Sequence, residues 1–331
     1  MNTSALIEKL HKQGFPHYEN SKDYRQKHLK NFFDYDFWKE AKFLEIYPNK
    51  SYGFGVLQSG IKYLWSYFSE ERATVKCGNL KTPMDLFNDK DKLAKLLEYN
   101  IEKNKGILTQ NSLRDWLIKN PEVQCISNFR PTSASAIYDL LLPFDESVVW
   151  DPCMGYGGRL LGALKSDKVK VYIGDDPNTV TFKKLNIIKD EVFKVCKPFD
   201  KECILTNSTM EAEDNIPENS IDMVFTSPPY FDTEKYSDEP TQSYIKYPAY
   251  TEWKEKFLKV LIDKAFIFLR PSIGILALNV KNCKNCNDLE MSTINYALER
   301  GFILKRVHKY LMSSYSNTRN NFEPIFEFIK P

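Results

Sequence analysis

The chain has 331 residues, of which 42% are hydrophobic and 27% charged, and carries a net charge of +2. That length and apolar content exclude a disordered polypeptide and a disulfide-stapled miniature, and leave room for one large domain plus a smaller one. No apolar run is long enough to cross a bilayer, and the opening MNTSALIEKLHKQGF lacks the sections of a signal peptide, so a cytoplasmic location with no membrane partner is expected.

Cys77, Cys125, Cys153, Cys196, Cys203, Cys283 and Cys286 form an odd, scattered set and read as reduced thiols. Only NCKNC, with Cys283 and Cys286, has metal spacing. A tetrahedral zinc needs four ligands and no second close pair is present, so no metal is expected. Up to Asn120 there are 20 Lys+Arg against 15 Asp+Glu, or +5; the remainder has 26 against 29, or −3. A basic run, Arg300, Lys305, Arg306, Lys309 and Arg319, lies near the end. The first part and this run are where a polyanion could be met.

Residues 1–125, rich in Tyr, Phe and Lys, read as a separate, mainly helical module with some strand. DKLAKLLEYNIEKN and TQNSLRDWLIKN are its clearest helices. The boundary is placed in KNPEVQCISNFRP, where Pro121 and Pro131 interrupt helix, and a second domain spans 126–331. There SVVWDP, VKVYIGDD, CILTNS, IDMVFTSPP, GILALNV, FILKRVHKYLM and EPIFEFIK read as seven strands. The segments GGRLLGALKS, PNTVTFKKLNIIKDEVFKVC, WKEKFLKVLIDKAFIFLR and DLEMSTINYALERG carry helical periodicity between them. Strands alternating with helices predict an α/β fold with a parallel sheet covered on both faces, and ligands at the carboxyl ends of its strands.

At the end of the first of these strands, VVWDPCMGYGGRLLGAL places Asp151 before Gly155, Gly157 and Gly158 and then a helix. Glycines there let backbone approach a ligand closely. The spacing is not the dinucleotide fingerprint and no phosphate-loop lysine follows, which disfavours pyrophosphate. Asp175 and Asp176 close the second strand, Asp176 lying 25 positions after Asp151, where an acid can accept hydrogen bonds from ribose. The combination suggests an adenosine-type ligand without a phosphate chain.

DPCMGYGG resembles the DP-x-x-G-x-G cofactor motif of S-adenosylmethionine-dependent methyltransferases. TSPPY resembles the S/N/D-P-P-Y motif of the branch that methylates exocyclic amino groups of DNA bases. NFRPTSASAIYDLL resembles the segment that in that family contacts the methionine end of the cofactor, and EPIFEFIK resembles its last strand, so the similarity covers about Ser127 to Lys330. The resemblance implies a Rossmann-like seven-stranded methyltransferase sheet, its last strand antiparallel, with S-adenosylmethionine as cofactor. It places Asp151 near the methionine amino group, with Pro152 in the same motif and Gly155 and Gly157 passing beneath. Asp176 would hold the ribose, with Asp175 as the alternative. Ser208, with Asn207 beside it, would meet the adenine ring, and Arg130 and Thr132 the carboxylate.

The resemblance also gives TSPPY its chemistry. An exocyclic amine is a poor nucleophile because its lone pair is delocalised into the ring. Fixed acceptors for its N–H bonds, here Ser227 Oγ and the Pro228 carbonyl, let the nitrogen pyramidalise toward the sulfonium methyl. Pro228 and Pro229 stiffen the turn, and Tyr230 would stack on a base flipped from duplex DNA. The following FDTEKYSDEPTQSYIKYPAY, with Tyr236, Tyr244, Tyr247 and Tyr250, reads as a long irregular loop forming a base pocket, a lid or local packing. Serine ahead of the prolines leans toward cytosine N4; adenine N6 is the alternative. RNA base methylation, protein glutamine methylation and a non-catalytic nucleic-acid-binding scaffold are the rival readings. Target recognition would fall to residues 1–125, to the Tyr-rich loop or to a partner protein.

Overall fold

The computed structural model describes residues 3–36, 44–46, 51–54, 57–103, 106–197, 200–311 and 322–331. Its strands are β1 (Leu44–Ile46), β2 (Ser51–Phe54), β3 (Lys76–Cys77), β4 (Ser147–Asp151), β5 (Val169–Asp175), β6 (Glu202–Thr206), β7 (Met223–Thr226), β8 (Glu234–Lys235), β9 (Ile275–Asn279), β10 (Ile303–Leu311) and β11 (Phe322–Ile329). Among the described residues one nine-stranded sheet runs β1-β2-β10-β11-β9-β7-β4-β5-β6, and β3 pairs separately with β8. The seven strands expected between Ser147 and Lys330 are all present. β9, β7, β4, β5 and β6 are parallel, and β11 runs antiparallel to both β9 and β10. The sheet is wider than the seven strands expected because β2, from the first part of the chain, pairs in parallel with β10 and carries β1 beyond it.

β7 and β9 are buried along their whole length, so they read as continuous apolar runs with both faces covered. Alternation then sorts their neighbours. Val149, Tyr172, Phe225 and Ala277 join one core with the helices Pro131–Leu141, Gly158–Lys165 and Thr179–Cys196. Trp150, Val224, Leu276 and Leu278 join the other, under the helical run from Tyr250 to Phe268 and the helix Leu289–Arg300.

The first part of the chain packs in two ways. The helices Thr3–Gln13, Pro83–Asn88, Lys90–Lys103 and Gln110–Ile118 surround a core of their own. Leu29, Phe32, Tyr63, Leu64 and Phe68 instead enter the core on the sheet. Glu191, on the helix Thr179–Cys196, accepts from Arg25 at 3.2 Å, Tyr63 at 3.0 Å and Tyr67 at 2.6 Å, tying the two parts together.

The chain passes from β4 outward to β5 and β6, then returns to place β7 on the other side of β4. That reversal is a topological switch point, and the crevice beyond the carboxyl ends of β4 and β7 is where such sheets bind ligands. Both motifs singled out in the sequence follow these two strands. Among the described residues no helix is long and apolar enough to cross a membrane.

Candidate active site

β4 ends at Asp151 and the chain turns through Gly155 (φ +51°) and Gly157 (φ +77°) into the helix Gly158–Lys165. The bend is fastened to the end of β5: Met154 N donates to Asp175 O at 3.0 Å, and Gly155 N to Asp176 Oδ2 at 3.0 Å. A Cβ on Gly155 would meet nothing nearer than Cys153 O at 3.9 Å, so its outer side is open. On Gly158 a Cβ would lie 1.8 Å from Phe129 O, which makes this glycine a packing requirement of the crossing segment.

Asp176 also accepts from Asn178 N at 2.9 Å, and Asn178 in turn caps the helix Thr179–Cys196. Burial pushes the Asp176 carboxyl up to about 6, against the pull of its two backbone donors.

The second motif leaves β7 at Thr226. Pro228 is buried, Ser227, Pro229 and Tyr230 are half-buried, and Phe231 takes φ +54° as the turn closes onto Tyr250 and Trp253. The Tyr230 hydroxyl reaches Asn279 O at 3.3 Å and Glu323 Oε2 at 3.4 Å, so the ring is anchored at its far end between β9 and β11.

A single cavity of about 670 Å³ joins these pieces. Arg130, Pro152, Gly155 and Asp176 line one end, and Ser227, Pro228, Pro229 and Tyr230 another. Trp65, Arg72, Cys77 and Gln124 bring the first part of the chain to the same space. Tyr156 Oη and Gln242 Nε2 are buried in residues that line it and have no hydrogen-bond partner among the described residues.

Other expected cofactor residues do not line it. Asp151 accepts from Arg159 at 2.8 and 3.1 Å and from the Tyr172 hydroxyl at 2.8 Å, and its carboxylate is buried behind that cation. The cation it holds, Arg159, lines the cavity in its place. Asp175 points to the opposite face of the sheet, where Trp150 Nε1 donates to it at 2.6 Å, and burial pushes it up to about 7. Thr132 donates to Leu57 O at 2.9 Å. Gly157 packs against Leu185, Asn207 Nδ2 donates to Asp176 O at 3.0 Å, and Ser208 Oγ turns to Thr209 O. Arg130, by contrast, does line the cavity, with Nη1 donating to Leu311 O at 2.6 Å and its guanidinium over the Tyr310 ring.

The irregular loop is more ordered than its sequence suggests. β8 pairs with β3, and short helices cover Ser243–Lys246 and Tyr250–Trp253. Tyr236 and Tyr244 line the cavity, whereas Tyr247 bonds Glu211 and Tyr250 bonds Asp288. Cys283 and Cys286 face each other across a tight turn with backbone bonds of 3.2 and 3.1 Å. In the basic run Arg300 pairs with Asp263 at 3.0 Å, Lys305 and Arg306 pair with Glu327 at 3.3 and 3.8 Å, and Lys309 lies over the Phe322 ring. Arg319 lies outside the described residues.

Sequence reasoning missed Arg159, Glu234, Tyr310 and Glu323 as cavity residues. Arg159 had a signal, a cation on the first turn after the glycine bend. The others are brought in by strand pairing alone.

No family model and no curated protein matches the chain. Among solved structures, TrmN from Thermus thermophilus aligns at 17% identity and TM-score 0.42, over 61% of this chain and 49% of TrmN, about half its length. A methyltransferase from Pyrococcus furiosus aligns at 14% identity and TM-score 0.42, over 71% of this chain and 96% of that one. TYW2 of M. jannaschii, solved in complex with AdoMet, aligns at 16% identity and TM-score 0.34, over 58% of this chain and 73% of TYW2.

Proposed function

We propose that the chain moves a methyl group from S-adenosylmethionine to the exocyclic amine of a nucleic-acid base, cytosine N4 ahead of adenine N6. The observation that carries this reading is that the Gly155 bend with Asp176 and the Ser227–Tyr230 turn open into one cavity at the switch point of the sheet. When bound, S-adenosylmethionine supplies an electrophilic methyl on a sulfonium. Asp176 accepts from the ribose, for which it keeps lone pairs beyond those given to Gly155 N and Asn178 N. The open side of Gly155 admits the cofactor against backbone.

Ser227 Oγ and the Pro228 carbonyl accept hydrogen bonds from the two amine hydrogens and hold the nitrogen lone pair in line; once the nitrogen has gained the methyl, one of these hydrogens leaves to solvent as a proton and the other stays on the product. Tyr230, fixed at its hydroxyl, gives the base a stacking platform worth about 1–3 kcal/mol. In this reading, residues 1–125 supply target recognition, supported by the cavity wall that Trp65, Arg72 and Gln124 provide.

The test is calorimetric titration with S-adenosylmethionine, then tritiated methyl transfer offered in parallel to DNA, RNA and protein. Mass analysis of the digested product distinguishes N4-methylcytosine from N6-methyladenine. Cofactor binding without transfer to any of the three would leave the scaffold reading standing and end this one.

A further inference from the structure

The loop between β9 and the helix Leu289–Arg300 holds NCKNC, a motif that the chemistry above does not use. Its start is held to the helix: Asn282 N donates to Glu290 Oε1 at 3.0 Å, and Glu290 N to Asn282 Oδ1 at 2.9 Å. Its tip is held to the chain just past Tyr230, where Asn285 Nδ2 donates to Asp232 Oδ1 at 3.1 Å. Between these ties Cys283 and Cys286 exchange both backbone hydrogen bonds, at 3.2 and 3.1 Å, as an antiparallel bridge. In such a doubly bonded pair the Cα atoms are about 5.5 Å apart, inside the range of about 4.4–6.8 Å that a disulfide spans. Among the described residues no group of three or more His, Cys, Asp or Glu is placed to hold a metal, so the pair has only the chemistry of two thiols.

The two thiols have different surroundings. Cys283 is half-buried and lines the cavity, so a small reagent entering there meets it. Cys286 is fully buried, and its Sγ donates to the Tyr230 carbonyl at 3.9 Å. Tyr230 is thus fastened at its hydroxyl to Asn279 and Glu323 and at its backbone to Cys286. Hydrogen bonds from Cys286, the larger influence, and from Thr233 hold the Cys283 thiol below the ordinary cysteine value, against burial and the carboxyls of Glu323 and Glu234. The more accessible sulfur is therefore also the better nucleophile.

We propose that Cys283 and Cys286 are a reversible disulfide site, closed by a small organic disulfide entering the cavity, and that closure weakens methyl transfer by drawing Cys286 away from the Tyr230 carbonyl. The Cys283 thiolate attacks one sulfur of the reagent, whose S–S bond breaks and releases one half as a thiolate. Cys286 gives up its proton and attacks the Cys283 sulfur of the mixed disulfide, expelling the second half. The two protein thiols are oxidised, the reagent is reduced to two thiols, and these take up the two protons. The disulfide itself stands on the backbone pairing; its effect on transfer rests on the base-methylation reading.

The experiment treats the reduced full chain with bis(2-hydroxyethyl) disulfide and maps it by mass spectrometry after trypsin, which cuts after Lys281, Lys284 and Arg300. Peptide 282–284 appears linked to peptide 285–300, two of the seven thiols are lost, and dithiothreitol restores both. Cys286→Ser stops at the mixed disulfide on Cys283, and Cys283→Ser forms neither product. On oxidation kcat/KM for transfer to the oligonucleotide substrate falls about tenfold or more, as expected when a positioned group shifts, while S-adenosylmethionine affinity stays within a few-fold. Dithiothreitol reverses the fall, and transfer by Cys283→Ser is the same before and after the reagent.

No linkage between peptides 282–284 and 285–300, or a disulfide formed by other cysteines in its place, would overturn the proposal. So would a mapped Cys283–Cys286 disulfide that leaves transfer unchanged. A mapped disulfide in a protein that binds the cofactor, yet when reduced methylates neither DNA nor RNA, would end the base-methylation reading and leave the disulfide site established.

Discussion

Arg159→Met is the substitution whose cost the structure defines best. The guanidinium and the Asp151 carboxylate are 5% and 1% exposed and share two hydrogen bonds of 2.8 and 3.1 Å. Arg159 also donates to the Cys153 carbonyl at the base of the cofactor bend. Methionine conserves much of the volume and removes the charge. What remains for Asp151 is the Tyr172 hydroxyl at 2.8 Å and the Cys153 amide at 3.4 Å, too little for a carboxylate without water. Breaking a buried ion pair from one side costs about 3–5 kcal/mol. Asp151→Asn in the same background removes the stranded charge while an amide oxygen still accepts from Tyr172, so the double variant should recover about 2 kcal/mol of that loss. Urea unfolding with a common slope reads both quantities as shifts in midpoint. If Arg159→Met lies within about 1 kcal/mol of the unsubstituted protein, or the double variant is the less stable of the two, the pair is not the internal counter-charge described here.

Ser227→Ala should lower methyl transfer by about 100-fold or more while cofactor affinity is unchanged, whereas Asp176→Ala should weaken cofactor binding first; calorimetry and single-turnover transfer separate the two. Gly158→Ala forces a Cβ to within 1.8 Å of Phe129 O and should destabilise by about 1–3 kcal/mol. Gly155→Ala meets open space and should cost only about 1–2 kcal/mol of left-handed strain, yet it should lose cofactor affinity, an order reversed if Gly155 served packing alone. Burial pushes Glu327 up, but the His308 hydrogen bond and the charges of Lys305 and Arg306 outweigh it and hold the carboxyl below the usual range. Its ionised form therefore stabilises the fold above the ordinary glutamate value, and that contribution is lost as pH falls through the lowered one. Glu327→Gln should flatten the acid limb of the stability profile, and an unchanged limb would show that the His308 pair is not the cause.

The strands could be read from the sequence because each is a short apolar run between polar punctuation. The helices between them could be read because burial on one face imposes a period of 3.6. Four short strands escaped, β1, β2, β3 and β8, of two to four residues each. β2 lies beside β10, β1 beside β2 and β3 beside β8 through tertiary pairing rather than any local pattern. The same limit hid the far wall of the cavity. Glu234 and Glu323 sit at strand ends separated by 89 positions, and nothing local distinguishes a carboxyl that lines a cavity from one that faces water.

Asp151, Asp175 and Asp176 show why a motif locates a site more readily than it assigns the atoms in it. Side chains alternate along a strand, so Tyr172 and Gly174 face one core while Ile173 and Asp175 face the other. Asp175 is still within the pleat and is consumed by Trp150. Asp176 is the first residue beyond it, where the backbone is free to turn its carboxyl to the crevice. Asp151 is likewise the last residue of its strand and faces inward, onto Tyr172. A strand that ends in an acid therefore delivers its ligand-facing group one residue later. At β4 that next position is Pro152, which carries no charge, and the cation that reaches the cavity there is Arg159, eight residues beyond Asp151. Around the Gly155 bend the cavity thus presents one acid, Asp176, and one cation already balanced by Asp151, Arg159. The Ser227–Tyr230 turn presents neutral oxygens at Ser227 and Pro228, and Glu323 reaches the Tyr230 hydroxyl at 3.4 Å.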